Sequence, residues 1–251
     1  MIKIKKIFII IIMVLLIVIL AISSYFFIKE ISESVKSNKE YKEIQDIVTT
    51  EIIEENTGNV KEIIDLKELY EINNDLIGWI KIEGTMINYP IMQNEDFYLR
   101  KNIYKEYSYY GTPYLAQNCN IKNSDNLVIY GHHMTNGTAM FGELEKYKNK
   151  SFYNSHKYIK LYTLEDELTI EHIYEIIIIF KTTVYRENSF KYYLYDNLNV
   201  AEDFENYISK CKQLQFYETG KTAIYGDKLI TLSTCEYSEK NSRLVIVAKG
   251  V

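Results

Sequence analysis

From Ile7 to Ile28 the chain reads IFIIIIMVLLIVILAISSYFFI, 22 residues without a charge. At a helical rise of ~1.5 Å per residue this run reaches ~33 Å, enough to cross the hydrocarbon core of a bilayer. A cleaved signal peptide has a shorter apolar region and a small-residue exit, and no clear A-x-A site follows here. The run is read as an uncleaved anchor. Lys3, Lys5 and Lys6 stand just before it. Positive residues beside a span stay on the cytoplasmic side, so the N-terminus is expected inside and the bulk of the chain outside. The expected organisation is a cytoplasmic tail (1–6), a transmembrane anchor (7–28), a stalk (29–59) and an extracellular domain (60–251). The localisation that follows is a single-pass protein of the cell membrane.

Composition bounds what lies beyond the anchor. Nearly half of the 251 residues are apolar, and two prolines and ten glycines are too few for a disordered or fibrous chain. The formal net charge is −5 and no basic stripe appears, which argues against nucleic acid as a partner. There are three cysteines, Cys119, Cys211 and Cys235. A domain outside the cell could form one disulfide, which leaves an odd thiol. No cysteine or histidine pair has zinc-site spacing, and His132 and His133 with Glu143 lack further ligands. Neither a metal nor another cofactor is implied.

Residues 29–59 are polar, charged and partly helical in pattern, and end at the turn signal NTGN (Asn56–Asn59). VKEIIDLKELYEIN (Val60–Asn73) puts Ile63, Leu66, Leu69 and Tyr70 at helical spacing and predicts an amphipathic helix. From Gly78 the period changes. GWIKIEGTMINYPIMQ alternates about a Gly-Thr turn and predicts two short strands. NLVIYGH (Asn126–His132) predicts a strand, TAMFGELEKY a short helix, and KYIKLYTLEDELTIEHIYEIIIIFKT two long strands about the LEDE turn. Val200, Phe204, Ile208 and Cys211 recur at helical spacing, with Asn199 as cap, Glu202 three residues on and Gly220 as stop. Cys211 then faces the core. Two last strands, Lys228–Thr234 and Arg243–Lys249, close the chain. About eight strands without a βαβ rhythm predict a mainly β fold, a closed antiparallel sheet with one substantial helix before the last two strands.

The chemistry centres on TLSTCEYSEKNSRLVI (Thr231–Ile246). Cys235 ends one strand pattern and Arg243 opens the next. A cysteine needs a base or a lowered pKa to attack at neutral pH, because the thiolate is the nucleophile. His156 and His172 sit in polar or strand contexts that read as structural. The pair in YGHHM ends a strand, where side chains converge on a rim. Either His132 or His133 is a candidate base, and adjacent residues on an extended chain point to opposite sides. The rigid donor fork of Arg243 suits a carbonyl oxygen that becomes negative in acyl transfer.

These segments together resemble a known family. TLSTC, followed by an arginine and a VIVAK strand, looks like the active-site strand of sortases, the membrane-anchored cysteine transpeptidases of Gram-positive bacteria. GWIKIEGTMINYPIMQNEDFYL (Gly78–Leu99) is similar to the opening strands of class B, and YGHHMTNGTAMFGELEKY (Tyr130–Tyr147) resembles its histidine segment. The resemblance covers about Leu66 to Val251 and implies an eight-stranded sortase-type β-barrel with an N-terminal helix. It implies that Cys235 is the nucleophile, His132 the catalytic histidine and Arg243 the catalytic arginine. It puts Tyr130, Ser233, Thr234 and Glu236 near the substrate groove. His133 departs from the asparagine usual at that place. The implied reaction cleaves an NPQTN-like sorting motif of a secreted protein after Thr, through a thioester, and joins it to a peptidoglycan amine. The implied partners are that sorting peptide, a peptidoglycan precursor amine and the membrane. Two rival readings remain at this point. One is a cell-wall cysteine endopeptidase that hydrolyses; the other is a membrane-tethered binding domain in which Cys235 is incidental.

Overall fold

A computed structural model describes residues 2–54, 60–133 and 139–251, with side chains from residue 6 outside 50–62. The chain divides into two compact units, Met1–Glu40 and Tyr41–Val251. The first belongs to helix α1 (Ile2–Val48), whose apolar side chains from Ile7 to Ile28 are exposed. The helix is long and apolar enough to cross a membrane. The stretch expected as a stalk continues α1 to Val48 and then forms strand β1 (Thr49–Glu54). The expected turn Asn56–Asn59 lies outside the described residues.

The helix expected over Val60–Asn73 is corrected by the structure. Val60–Ile64 is strand β2, paired antiparallel with β1 from Glu54↔Val60 to Thr49↔Ile64. Only Lys67–Ile72 is helical, α2, with the Lys67 N–H donating to Asp65 Oδ1 at 3.0 Å. The β-branched residues of TTEIIE and VKEII favour a two-stranded ribbon over a helix once they lie side by side. Periodicity within one segment does not report such a partner.

The second unit is built on a closed eight-stranded barrel. Its strands are β3 (Leu76–Lys81), β4 (Asn88–Met92), β5 (Tyr114–Leu115), β6 (Asn126–Tyr130), β7 (Tyr158–Glu165), β8 (Leu168–Thr183), β9 (Leu229–Glu236) and β10 (Ser242–Gly250). Their order around the barrel is β10-β8-β7-β3-β4-β5-β6-β9. The sheet is mixed: β4–β5 and β6–β9 pair in parallel, the other neighbours antiparallel. The TAMFGELEKY segment forms a 3-10 turn over Gly142–Lys148, followed by the short helix α3 (Lys150–Ser155).

Helix α4 (Ala201–Leu214) precedes the last two strands. Its cap is Val200, one residue past the expected Asn199, without a side-chain bond to the helix, and it ends before Gly220. Its buried face (Phe204, Tyr207, Ile208, Cys211) covers the outer side of β8. That cover explains why Ile176 to Phe180 form an unbroken apolar run with no exposed member. One face of β8 fills the barrel and the other meets α4, so alternation disappears. Each such side chain contributes about 2 kcal/mol by leaving water.

Candidate active site

Three chain segments meet at one rim of the barrel. β9 carries Ser233, Thr234 and Cys235, and Arg243 of β10 is the register partner of Cys235. β6 runs parallel to β9 as far as Tyr130↔Ser233, and the chain then passes through Gly131 to His132. With Leu99 from the 3-10 turn Phe97–Arg100 and Tyr114 of β5, these residues line a cavity of about 350 Å³. Cys235, His132 and Arg243 are all among the lining residues, and all three are half-buried.

The imidazole of His132 is held through one ring nitrogen. Its Nε2 lies 2.9 Å from the Leu99 carbonyl. A carbonyl only accepts, so this nitrogen carries a proton, and in the neutral ring Nδ1 is the free base. Burial lowers its pKa below the ordinary histidine value; the bond to Leu99 opposes this, and Arg100 adds to it. The backbone is fastened as well, since Phe141 N–H donates to the His132 carbonyl at 2.8 Å. Gly131 makes this possible. A Cβ there would stand 2.5 Å from the Phe141 ring, so only glycine lets the ring lie against the strand end. The next residue turns the other way. His133 donates from Nδ1 to the Cys235 carbonyl at 2.9 Å and is absent from the cavity wall.

Arg243 donates from Nη1 to the Ser242 carbonyl at 3.0 Å. Among the described residues it pairs with no carboxylate. A guanidinium without a counter-ion at a cavity wall is a ready partner for an oxygen that gains negative charge. The three thiols separate by environment, and all are free. Burial pushes Cys119 up to about 11 and Cys211 further up. Both are inert by that criterion, and only Cys235 opens on the cavity.

A family model for the sortase domain matches residues 80–251. The chain belongs to the sortase family. Sortase B of Listeria monocytogenes serovar 1/2a is 34% identical over 212 residues, which cover 82% of this chain and 80% of that protein. The crystal structure of sortase B from B. anthracis in complex with AAEK1 aligns with TM-score 0.68 and 30% identity, covering 87% of this chain and 98% of the other. The Staphylococcus aureus sortase B–substrate complex aligns with TM-score 0.64 and 30% identity over 74% and 84% of the two chains. This sortase is of class B, and its activity is that of a cysteine transpeptidase.

The residues expected near the sortase groove fare unequally in the geometry. Tyr130, Ser233 and Thr234 line the cavity. Ser233 is engaged by the Tyr192 hydroxyl at 2.6 Å, and Thr234 donates to the Gly131 carbonyl at 2.7 Å. Glu236 does not line it. Its carboxylate reaches the 3-10 turn Gly142–Lys148 instead. It takes the Lys148 ammonium at 2.7 Å and the Ser238 hydroxyl at 2.7 Å. Leu99, Tyr114 and Tyr192 were not singled out in the sequence. Leu99 acts through its carbonyl, which no residue type announces, and the tyrosines are two of 24 in the chain.

Glu236 allows a stability prediction. Burial raises its carboxyl, but the bonds from Lys148 and Ser238 prevail and bring it to about 2 from an ordinary 4.5. A lowered folded-state pKa gives stability that is present above the unfolded value and lost as pH falls through the folded one. The loss is expected between about pH 4.5 and 2 and amounts to about 3 kcal/mol. Glu236→Gln should flatten that part of the stability–pH curve measured by urea unfolding. An unchanged curve in the variant would show that another carboxylate is responsible.

Proposed function

We propose that Cys235 is the nucleophile, Arg243 the oxyanion partner and His132 the acid and base of a sorting transpeptidation. The observation that carries this reading is the single cavity lined by all three side chains. Cys235 Sγ attacks the Thr carbonyl carbon of a sorting peptide as the thiolate, its proton having passed to Nδ1 of His132. The fork of Arg243 faces the oxygen as it becomes negative. As the C–N bond breaks, His132 gives its proton to the leaving amine, and a thioester remains. An amine then attacks the same carbon, His132 takes up its proton, the C–S bond breaks and an amide forms. No redox step or added reagent is needed.

The substrate is read as an NPQTN-like pentapeptide near the C-terminus of a secreted protein, and the acceptor as an amine of a peptidoglycan precursor. Tyr130, Ser233 and Thr234 are read as contacts to that peptide. Residues 7–28 are read as a membrane anchor with residues 1–6 in the cytoplasm and the barrel outside, where such substrates meet the wall. The three lysines before the run support this orientation.

The test is product analysis with the full-length chain in detergent. NPQTN-containing peptide and related pentapeptides are offered with and without triglycine, and products are read by mass spectrometry. The expected result is a peptide cleaved after Thr and joined to triglycine. Release of the free acid alone, at the same rate with and without triglycine, would reject amine transfer to this acceptor.

A further inference from the structure

The end of β6 poses a problem that the family reading does not address. In a parallel ladder the bonds recur every second residue along each strand. The last backbone bond here runs from Gly131 N–H to the Ser233 carbonyl at 3.1 Å. Had β6 continued, His133 N–H would serve the next carbonyl in step, that of Cys235. The chain instead turns away, and the His133 side chain takes over: its Nδ1–H reaches the Cys235 carbonyl at 2.9 Å. A second side-chain bond, Thr234 Oγ1 to the Gly131 carbonyl at 2.7 Å, lies at the same junction.

His133 is itself tied down. The Tyr237 hydroxyl donates to its carbonyl, and the two rings stand 5.1 Å apart. His133 thus links the backbone of Cys235, through its ring, to Tyr237 two positions beyond, through its own carbonyl. On the other side Cys235 has its register partner Arg243. On the β6 side the bond from His133 reaches its carbonyl where the partner strand has ended.

We propose that His133 is a positioning residue for the transfer reaction, replacing the missing ladder bond and so fixing the backbone that presents Cys235 to the cavity. This rests on the reading of Cys235 as nucleophile. The same bond holds His133 out of the cavity, which keeps the adjacent His132 turned into it. Proton transfer is assigned to His132, which lines the same cavity as Cys235; His133 acts only through the peptide carbonyl. Both the Nδ1–H neutral ring and the imidazolium donate this bond.

Two substitutions in the full-length chain in detergent separate the roles of the ring. His133→Phe keeps an aromatic ring against Tyr237 and loses the donor. His133→Asn restores an N–H in reach of the carbonyl. Backbone hydrogen exchange of residues 234–241, which needs no substrate, is expected to quicken about tenfold in the phenylalanine variant and to return toward the parent rate in the asparagine variant. With the sorting pentapeptide that the parent chain cleaves fastest, kcat is expected to fall about tenfold in His133→Phe with KM unchanged, and to recover in His133→Asn. Parent-like exchange in His133→Phe, or equal losses in both variants, would overturn the proposal. Exchange that behaves as expected while Cys235→Ala retains full turnover would leave the clamp standing and remove the nucleophile assignment instead.

Discussion

Cys235→Ala should abolish the thioester adduct with a sorting peptide and lower turnover by about a thousandfold or more, since covalent catalysis loses its attacking atom outright. Intact-mass spectrometry of the enzyme after mixing with peptide reads the adduct directly. The effect should be separable from folding. Cys235 is only half-buried and its thiol hydrogen-bonds to none of the described residues, so its loss belongs with substitutions that move stability by less than about 1 kcal/mol. A parent-like melting temperature with no adduct is the expected pair of results. An adduct that persists in the alanine variant would place the nucleophile elsewhere. Cys119 and Cys211 are poor substitutes, because both are buried with raised pKa values.

Arg243→Lys should lower kcat/KM by about a hundredfold to a thousandfold, the scale seen when one oxyanion donor is removed. The charge survives this change, but the planar fork does not. One arm, Nη1, is used on the Ser242 carbonyl, and the remaining donors of the fork are left for a substrate oxygen. A lysine ammonium is a flexible point charge that cannot hold both oxygens in fixed geometry. Because Arg243 pairs with no carboxylate among the described residues, the substitution breaks no ion pair and should leave the melting temperature close to that of the parent. Steady-state kinetics with a fluorogenic sorting peptide decides the matter. A near-normal kcat/KM in Arg243→Lys would show that charge alone suffices and that the fork has no part.

Several elements were legible because their signals are local. The strands about Gly78–Gln93, the pair around LEDE and the last two strands each carry alternation or a turn of their own. Helix α4 shows its buried stripe in four residues at helical spacing. The ribbon of β1 and β2 was missed because its stability lies in pairing between segments, while the Ile63–Leu69 spacing mimics a helix. The parallel pairing of β6 with β9 brings together residues a hundred positions apart, and nothing in either strand encodes that partner. Glu236 is expected near the groove only through the resemblance to class B sortases. Its carboxylate is taken up instead by Lys148 and Ser238, neither of which its own position announces.

A charge-free run of membrane length, the order of the histidine, cysteine and arginine segments, and the kinds of side chain they carry can all be read from the chain as written. These depend on composition and spacing within a few residues, which no folding event alters. Which imidazole turns toward the cavity, what holds the other, and that Arg243 stands across from Cys235 were settled by assembly. Those outcomes follow from where β6 ceases to pair with β9 and from the register of β10. Both are set by the closure of the whole barrel, a sum of contacts spread over more than a hundred residues of chain.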